Sequence, residues 1–535
     1  MAGEKDKIKD NVSIIKANSK IPYSLISQEI EGSSSDITSE LTEIAQYYAM
    51  YEEGSKFTPE GTLGNYVPAT LKYRLAASLI NKEARFLFAE RPDIVVSAKG
   101  DLGAVTQETR DALTIIQDLI DTVLKKNKFE KILLQAARDC FIGKRVAGIV
   151  NFNESSGITL TFLPSTNFIY ETKMDNQEVL SKFVSFTVVK NRKSLKDKRI
   201  YKKKFQIEQD ANGNDVCYLQ ESLHDGAGAL IEEITEYQPT LLNRIPVAIF
   251  TNDGLLGNEE GVSEIKMLND YESWFSKLSN SDIDSMRRNM NPIRYTVDMD
   301  ASSTENLSSA PGSFWDLSSD QNIDNSHAAT GILESSMNYS SALGETLRRI
   351  KATMYEQIDM PDISLESLQG VITSGKALKG IYWPLIVRSK EKMKTWGPEL
   401  EYLIDIIIQG AIVYPNCIKQ YTDDTITPVS YEIHVENNYP LPEDETENKQ
   451  NDLSEVSEQT MSRKAYMIKW RGLTDQEADD ELAQIATEKA MFEGNDSFTG
   501  QNSFGESEAS EGLENDDEFD NNTNVIDNVD EEMEE

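Results

Sequence analysis

The string that comes nearest to site chemistry is Gly370-Val-Ile-Thr-Ser-Gly-Lys-Ala377. A phosphate-cradling loop has the form GxxxxGK[ST]: loop amides hold phosphate oxygens, the lysine bridges them and the last hydroxyl ligates magnesium. Here Ala377 stands where that hydroxyl is needed. The preceding Pro361-Asp-Ile-Ser-Leu-Glu366 reads as a turn or short helix, not as the buried strand that feeds such a loop. Ser374 as the cap of a helix accounts for the same residues without a nucleotide. The three histidines, His224, His327 and His434, are far apart and read as surface or turn residues. Asn252-Asp253, Asp282 with Asp284, and Glu259-Glu260 could face a hard cation, but none has the spacing of a calcium loop. No GxSxG elbow is present. Cys140, Cys217 and Cys417 form no CxxC pair, so neither a zinc site nor a disulfide framework is expected, and a reducing compartment suits them. The expectation is no catalytic residue, no metal and no cofactor. On this reading the chain is not an enzyme.

Composition narrows the partners. The chain has 535 residues and is 39% hydrophobic, enough for sizeable cores in roughly three to four units. Against 53 Lys and Arg stand 91 Asp and Glu, a formal charge of −38. Such a chain repels a polyanion at long range, which disfavours a general DNA-binding surface but not contact with DNA in another mode. Residues 493–535 hold 16 acids and no Lys or Arg, and read as a disordered acidic tail. One basic run opposes this background: residues 190–204 carry nine basic side chains and one acid. They could dock an acidic partner or nucleic acid; an exposed hairpin with a solvated charged face is the preferred reading. The apolar run Leu403–Val413 is 11 residues long, broken by Asp405 and Gln409, and too short for a bilayer. No secretory signal is legible, so a soluble protein made in a cytoplasm is expected.

The elements that would position these residues follow from periodicity. A polar arm to about residue 37 precedes helical text from about 38 to 138, with Leu71, Leu75 and Leu79 on one face and Ala112, Ile116, Leu119 and Val123 on another. Strand-like runs then follow at 146–152, 158–163, 183–189 and 245–250, separated by turn signals. Ile265, Leu268, Tyr271, Phe275 and Leu278 mark a long amphipathic helix to about Asn289. A short strand-like segment, 293–298, and a polar stretch lead to a second long helix over about 339–357. A third begins at about Ser374, with Pro384 and Gly397-Pro398 expected to kink or interrupt it.

Several of these strings, in this order, resemble the tailed-bacteriophage portal proteins. Lys126–Val150 is similar to that family's helix leading into a Gly-containing strand, and Leu163-Pro-Ser-Thr-Asn-Phe-Ile-Tyr170 to its proline-marked strand. Ile245–Asn252 followed by 265–284 resembles the strand feeding its first stem helix. Gly370–Leu378 resembles the junction after its tunnel loop, and 472–488 its acidic helical C-terminal segment. The resemblance spans roughly 40–490.

The resemblance implies an α+β portal architecture: a ring of about twelve subunits at one capsid vertex, through whose channel double-stranded DNA is packaged and ejected. Carried onto this sequence, it implies an arm (1–37), a wing (38–255), a first stem helix (256–289), a clip (290–334) and a second stem helix (335–358). A tunnel loop (359–373), a kinked helix returning to the wing (374–439), a crown (440–492) and the tail (493–535) complete the map. Within it, Asp362, Ile363, Ser364, Leu365, Glu366, Ser367, Leu368 and Gln369 would face DNA; Ser374, Gly375 and Lys376 would form the loop-to-helix junction. Arg287, Arg288, Arg294 and Tyr295 would dock the motor or adaptor. Implied partners are copies of the chain, the terminase large subunit, major capsid and scaffolding proteins, and a head-completion adaptor, in the virion and, during assembly, the host cytoplasm; no membrane is implied. Two alternatives stay open. One is a non-channel head component such as a scaffold or minor capsid protein; the other is a P-loop DNA motor, which would turn over ATP.

Overall fold

In the computed structural model, the described residues are 21–29, 34–55, 67–100, 106–190, 198–252, 260–290, 293–299, 329–333, 337–362, 379–422, 426–440 and 445–495, with 254, 319 and 327. They form a mixed helix-and-sheet fold of the α+β class. Two compact units divide the chain, 1–442 and 443–535.

Local sequence explains where the helices start and stop. Gln107–Lys126 is capped by the Thr106 hydroxyl, which accepts the Thr109 amide; it carries Glu108 in its first turn and Lys125 and Lys126 in its last, the charge order the helix dipole favours. A second helix, Phe129–Gly143, follows at once because Lys128 turns the chain in the left-handed region at φ 53°. Helix Leu75–Leu87 has no side-chain cap from Arg74. Its Ala76 amide is instead met by Glu272 of helix Glu264–Met290 at 2.7 Å. Helices Ser34–Glu53, Ser340–Glu356 and Trp383–Val413 complete the long elements of this unit.

Among the described residues, four antiparallel sheets accompany them. β2 (Arg145–Asn153) lies between β3 (Gly157–Pro164) and β9 (Val247–Thr251). A meander follows: β4 (Phe168–Thr172), β5 (Leu180–Lys190), β6 (Lys198–Gln209), β7 (Asp215–Asp225) and β8 (Leu230–Pro239). β1 (Asp93–Ala98) pairs with β12 (Tyr431–Glu436), and β10 (Ile293–Val297) with β11 (Ala329–Leu333). The main core packs Leu79, Ile120, Phe129, Phe141, Phe250, Trp396 and Ile404 between the helices and one face of β2–β3–β9. Ala147, Ile149, Phe168, Phe183, Phe205 and Cys217 fill a second core between that sheet and the meander. The alternation of strand side chains puts Val184, Phe186 and Ile200 on the meander's other face, where Ile21, Leu25 and Ile26 cover them.

Several expectations are corrected. Residues 21–29 are not a free arm: their apolar side chains are buried, and Glu29 receives Lys182, Lys202 and Lys204. Residues 200–204 of the basic run are therefore not a solvated face. Ile200, Lys202 and Lys204 share the face covered by 21–29, while Lys203 reaches Glu221 at 3.2 Å and Asn151 at 2.7 Å on the other. His224 is buried, bonded to Ser222 and the Gly228 carbonyl. The text from 38 to 138 is not all helical, because β1 sits within it, and Leu71 lies outside any helix and is exposed. At Pro384 the expected interruption is present: helical residues 379–381 end at Tyr382, and Trp383–Val413 starts anew with Pro384 in its first turn, where its missing amide is no loss, whereas Gly397-Pro398 lies inside that helix without interrupting it.

Candidate functional site

Helices Glu264–Met290 and Ser340–Glu356 pack on one another; the first begins at a buried ionic cluster, which Asp359, just past the second, borders. Arg388 and Lys392, one turn apart on helix Trp383–Val413, supply the cations. The Arg388 guanidinium donates to Glu83 at 2.7 Å and to Glu264 at 3.0 Å, and lies 3.7 Å from Asp359 just past helix Ser340–Glu356. The Lys392 ammonium donates to Glu264 and to Asn252, each at 2.6 Å, sits 3.4 Å from Glu83 and lies 4.2 Å above the Phe141 ring. Lys392 is 1% exposed, Glu83 1% and Glu264 0%. Burial alone would raise Glu264, but Lys392 and Arg388 bring it down to about 2. Burial, reinforced by the Glu264 charge, pushes Glu83 up to about 8. Groups this deep tie elements together, because separating one from its partners strands a charge in apolar surroundings.

A second polar device runs along helix Glu264–Met290. Residues 67–74 have no regular secondary structure and lie antiparallel to it, held through their backbone. Glu272 accepts from the Ser55 and Ala76 amides at 3.1 and 2.7 Å. Asn280 accepts the Leu71 amide at 2.7 Å and donates back to the Leu71 carbonyl at 2.9 Å. Asp284 accepts the Ala69 amide at 2.8 Å, and Arg287 donates to the Val67 carbonyl at 3.0 Å. Spacings of eight, then four, place Glu272, Asn280 and Asp284 along one helix face, with Arg287 one turn further.

The site residues named from the sequence fare unequally. Residues 363–369 and Ser374, Gly375 and Lys376 lie outside the described residues. Asp362 is half-exposed and pairs with Lys351 at 3.5 Å. Arg287 is engaged on Val67 and lies 3.6 Å from Asp284, and Arg288 is exposed on the last turn of its helix. Arg294 and Tyr295 belong to β10, where the exposed Tyr295 ring crosses Gly331 of β11 so closely that an added Cβ would meet it at 2.4 Å. The ionic cluster was missed in the sequence. Its trace is charge where apolar periodicity demands none: Arg388 and Lys392 among Leu385, Ser389 and Trp396, and Glu83 among Ile80, Ala84 and Leu87.

Compared with protein-family models, residues 38–494 match the one described as phage portal protein, SPP1 Gp6-like. The chain belongs to the phage portal protein family. The match takes in every element just described except residues 21–29, the first turn of helix Ser34–Glu53 and Asn495. No curated protein matches the sequence. Portal family proteins are generally structural, form oligomeric rings and sit at the capsid vertex, in association with terminase. In this portal family member no described helix is long and apolar enough to cross a membrane. No group of three His, Cys, Asp or Glu among the described residues could hold a metal.

Proposed function

We propose that the chain assembles into the ring-shaped channel through which double-stranded DNA enters and leaves a phage capsid, and serves as the platform on which terminase and, later, head-completion and tail proteins dock. The observation that carries this is the pair of long helices, Glu264–Met290 and Ser340–Glu356, packed on one another, the first rooted on a sheet-rich body where Glu264 meets Arg388 and Lys392, the second followed by Asp359 beside Arg388. A ring stacked from such pairs encloses a hole. On this reading the helices are the stem, β10 and β11 with Arg287, Arg288, Arg294 and Tyr295 belong to the clip and its docking surface, and residues 38–255 make the wing. Asp362 to Gln369 lie in the tunnel loop, Ser374, Gly375 and Lys376 form its junction, and 440–492 make the crown. The charge of −38 supports a passage role, since walls of the same sign as DNA let a duplex slide without condensing on it. ATP hydrolysis would belong to the docked terminase.

The test is deletion of residues 362–369. Closed rings of about a dozen subunits in electron micrographs, together with lost DNA packaging or retention, are expected. Normal packaging and retention by the deletion would remove the loop assignment, and a chain that stays monomeric at every salt and concentration would remove the channel.

A further inference from the structure

The last strand of the meander, β8, is exposed at every residue but Thr235. Leu230 is 60% exposed, Ile231 48% and Ile234 51%, and Glu232, Glu233 and Glu236 are interleaved with them. Glu233 accepts from the Gln220 side-chain amide at 2.8 Å; among the described residues, no cation pairs with any of the three acids. A sheet edge invites a further strand, but β8 is poorly made for one. Its register on β7 shifts three times, and Ile231 and Ile234 fall at shifts, opposite no residue of β7. What the edge presents is therefore side chains, three apolar ones among three acids. Such a surface is complemented by an apolar floor with a basic rim. The corner between helices Gln107–Lys126 and Phe129–Gly143 has that composition. A cavity of about 590 Å³ there is floored by the buried Leu124 and Phe129 and rimmed by Arg91, Lys125, Lys128 and Lys131. Asp121, paired with Arg91 at 3.0 Å, and Glu130 also line it. The left-handed turn at Lys128 folds one helix into the next and so brings Lys125 and Lys131 to the same corner. All three lysines are exposed, and among the described residues no carboxylate pairs with them.

We infer that β8 of one subunit docks in the basic corner of a second copy, its apolar side chains toward the Leu124 and Phe129 floor and Glu232, Glu233 and Glu236 among Lys125, Lys128 and Lys131. The inference rests on the ring proposed above and names one contact that closes it. Within one chain the two surfaces belong to different layers, since these helices lie on one face of β2–β3–β9 and the meander on the other. A closed ring needs that arrangement, because each of its contacts joins one surface of a subunit to a different surface of the next. Charge enforces the choice. Two copies meeting β8 to β8 would set six glutamates together, and two meeting corner to corner would set lysines on lysines; the mixed contact alone is attractive. The apolar side chains supply affinity, and the charges select a head-to-tail contact over a two-fold dimer.

Charge reversal of the full chain, read by sedimentation velocity over a range of protein concentration, tests this. One variant combines Glu232→Lys, Glu233→Lys and Glu236→Lys; another combines Lys125→Glu, Lys128→Glu and Lys131→Glu. Each is expected to raise the concentration at which half the chains are in rings by about tenfold or more. The chain carrying all six substitutions should return to the parent value, a rescue that a merely misfolded variant would not show. On the parent ring, a carbodiimide, which couples a lysine to a glutamate in contact, should join a lysine of 125–131 to a glutamate of 232–236 and link chains into a ladder. Absence of that coupling, or a six-fold variant no better than either triple, would overturn the pairing of the two surfaces. Parent rings with both triple variants assembling at the parent concentration would remove the contact alone, whereas a parent that stays monomeric would remove the ring itself. Loss of duplex DNA binding in the lysine variant, with assembly unchanged, would give the corner to nucleic acid and likewise overturn the contact.

Discussion

Lys392 is a residue whose removal isolates buried charge. Its ammonium is bound to Glu264 and Asn252 and lies beside Glu83, all buried, so Lys392→Ala leaves two carboxyls against one guanidinium. A loss of about 3–5 kcal/mol in chemical denaturation is expected. The exposed pair Lys72–Glu53 is the control, and Lys72→Ala should cost only about 0–1 kcal/mol. Similar losses for both would mean that the cluster is solvated. At this scale the sequence was read least well. The abundance of acids hid Glu83 and Glu264, because a composition so rich in carboxylates gives no reason to single out two of them. Only their places within apolar stripes mark them, and the cations that pair with them lie more than a hundred residues away in the chain.

Among elements, those with a strong local period were legible. Ile265, Leu268 and Leu278 mark a helix where the structure has Glu264–Met290, and alternating apolar residues mark β2, β3 and β5. β1 was not legible, since Asp93–Ala98 earns strand character from β12, more than three hundred residues on. Nor was the polar face of Glu264–Met290, because its partner is backbone, and backbone groups leave no mark in a sequence. Asn280 is the central tooth of that contact. Asn280→Ala leaves the Leu71 amide and carbonyl without their partner and should cost about 1–3 kcal/mol. It should also expose residues 67–74 to limited proteolysis, and an unchanged cleavage pattern would show that the segment is held by something else.

For the whole molecule, the two compact units differ in what stabilises them. Among the described residues, the apolar clusters all lie in the first. The described part of the second comprises three helices, Glu445–Ser457, Arg463–Arg471 and Asp475–Asn495. They are tied by Lys464 to Asp475 and Asp479, by Trp470 to Asp452 and by Arg471 to Glu481. Among their described side chains Met467 and Ala478 are the buried apolar ones, too little for a core that stands alone. A fragment spanning 443–495 is therefore expected to show weak helical circular dichroism and no cooperative melting, whereas 1–442 melts cooperatively. A sharp transition in the isolated fragment would refute that. The composition foretold an acidic chain without a membrane span, but not that its described lysines at 202–204 lie within the fold.

The antiparallel grip of helix Glu264–Met290 on residues 67–74 also sets how this stretch of the gene is free to drift. Glu272, Asn280 and Asp284 read amides and carbonyls, which every residue type offers alike. Side chains at 69 and 71 can therefore be exchanged over generations at little cost, with proline the exception, since it removes the donor that Asp284 or Asn280 requires. Selection falls on the reader and spares the text.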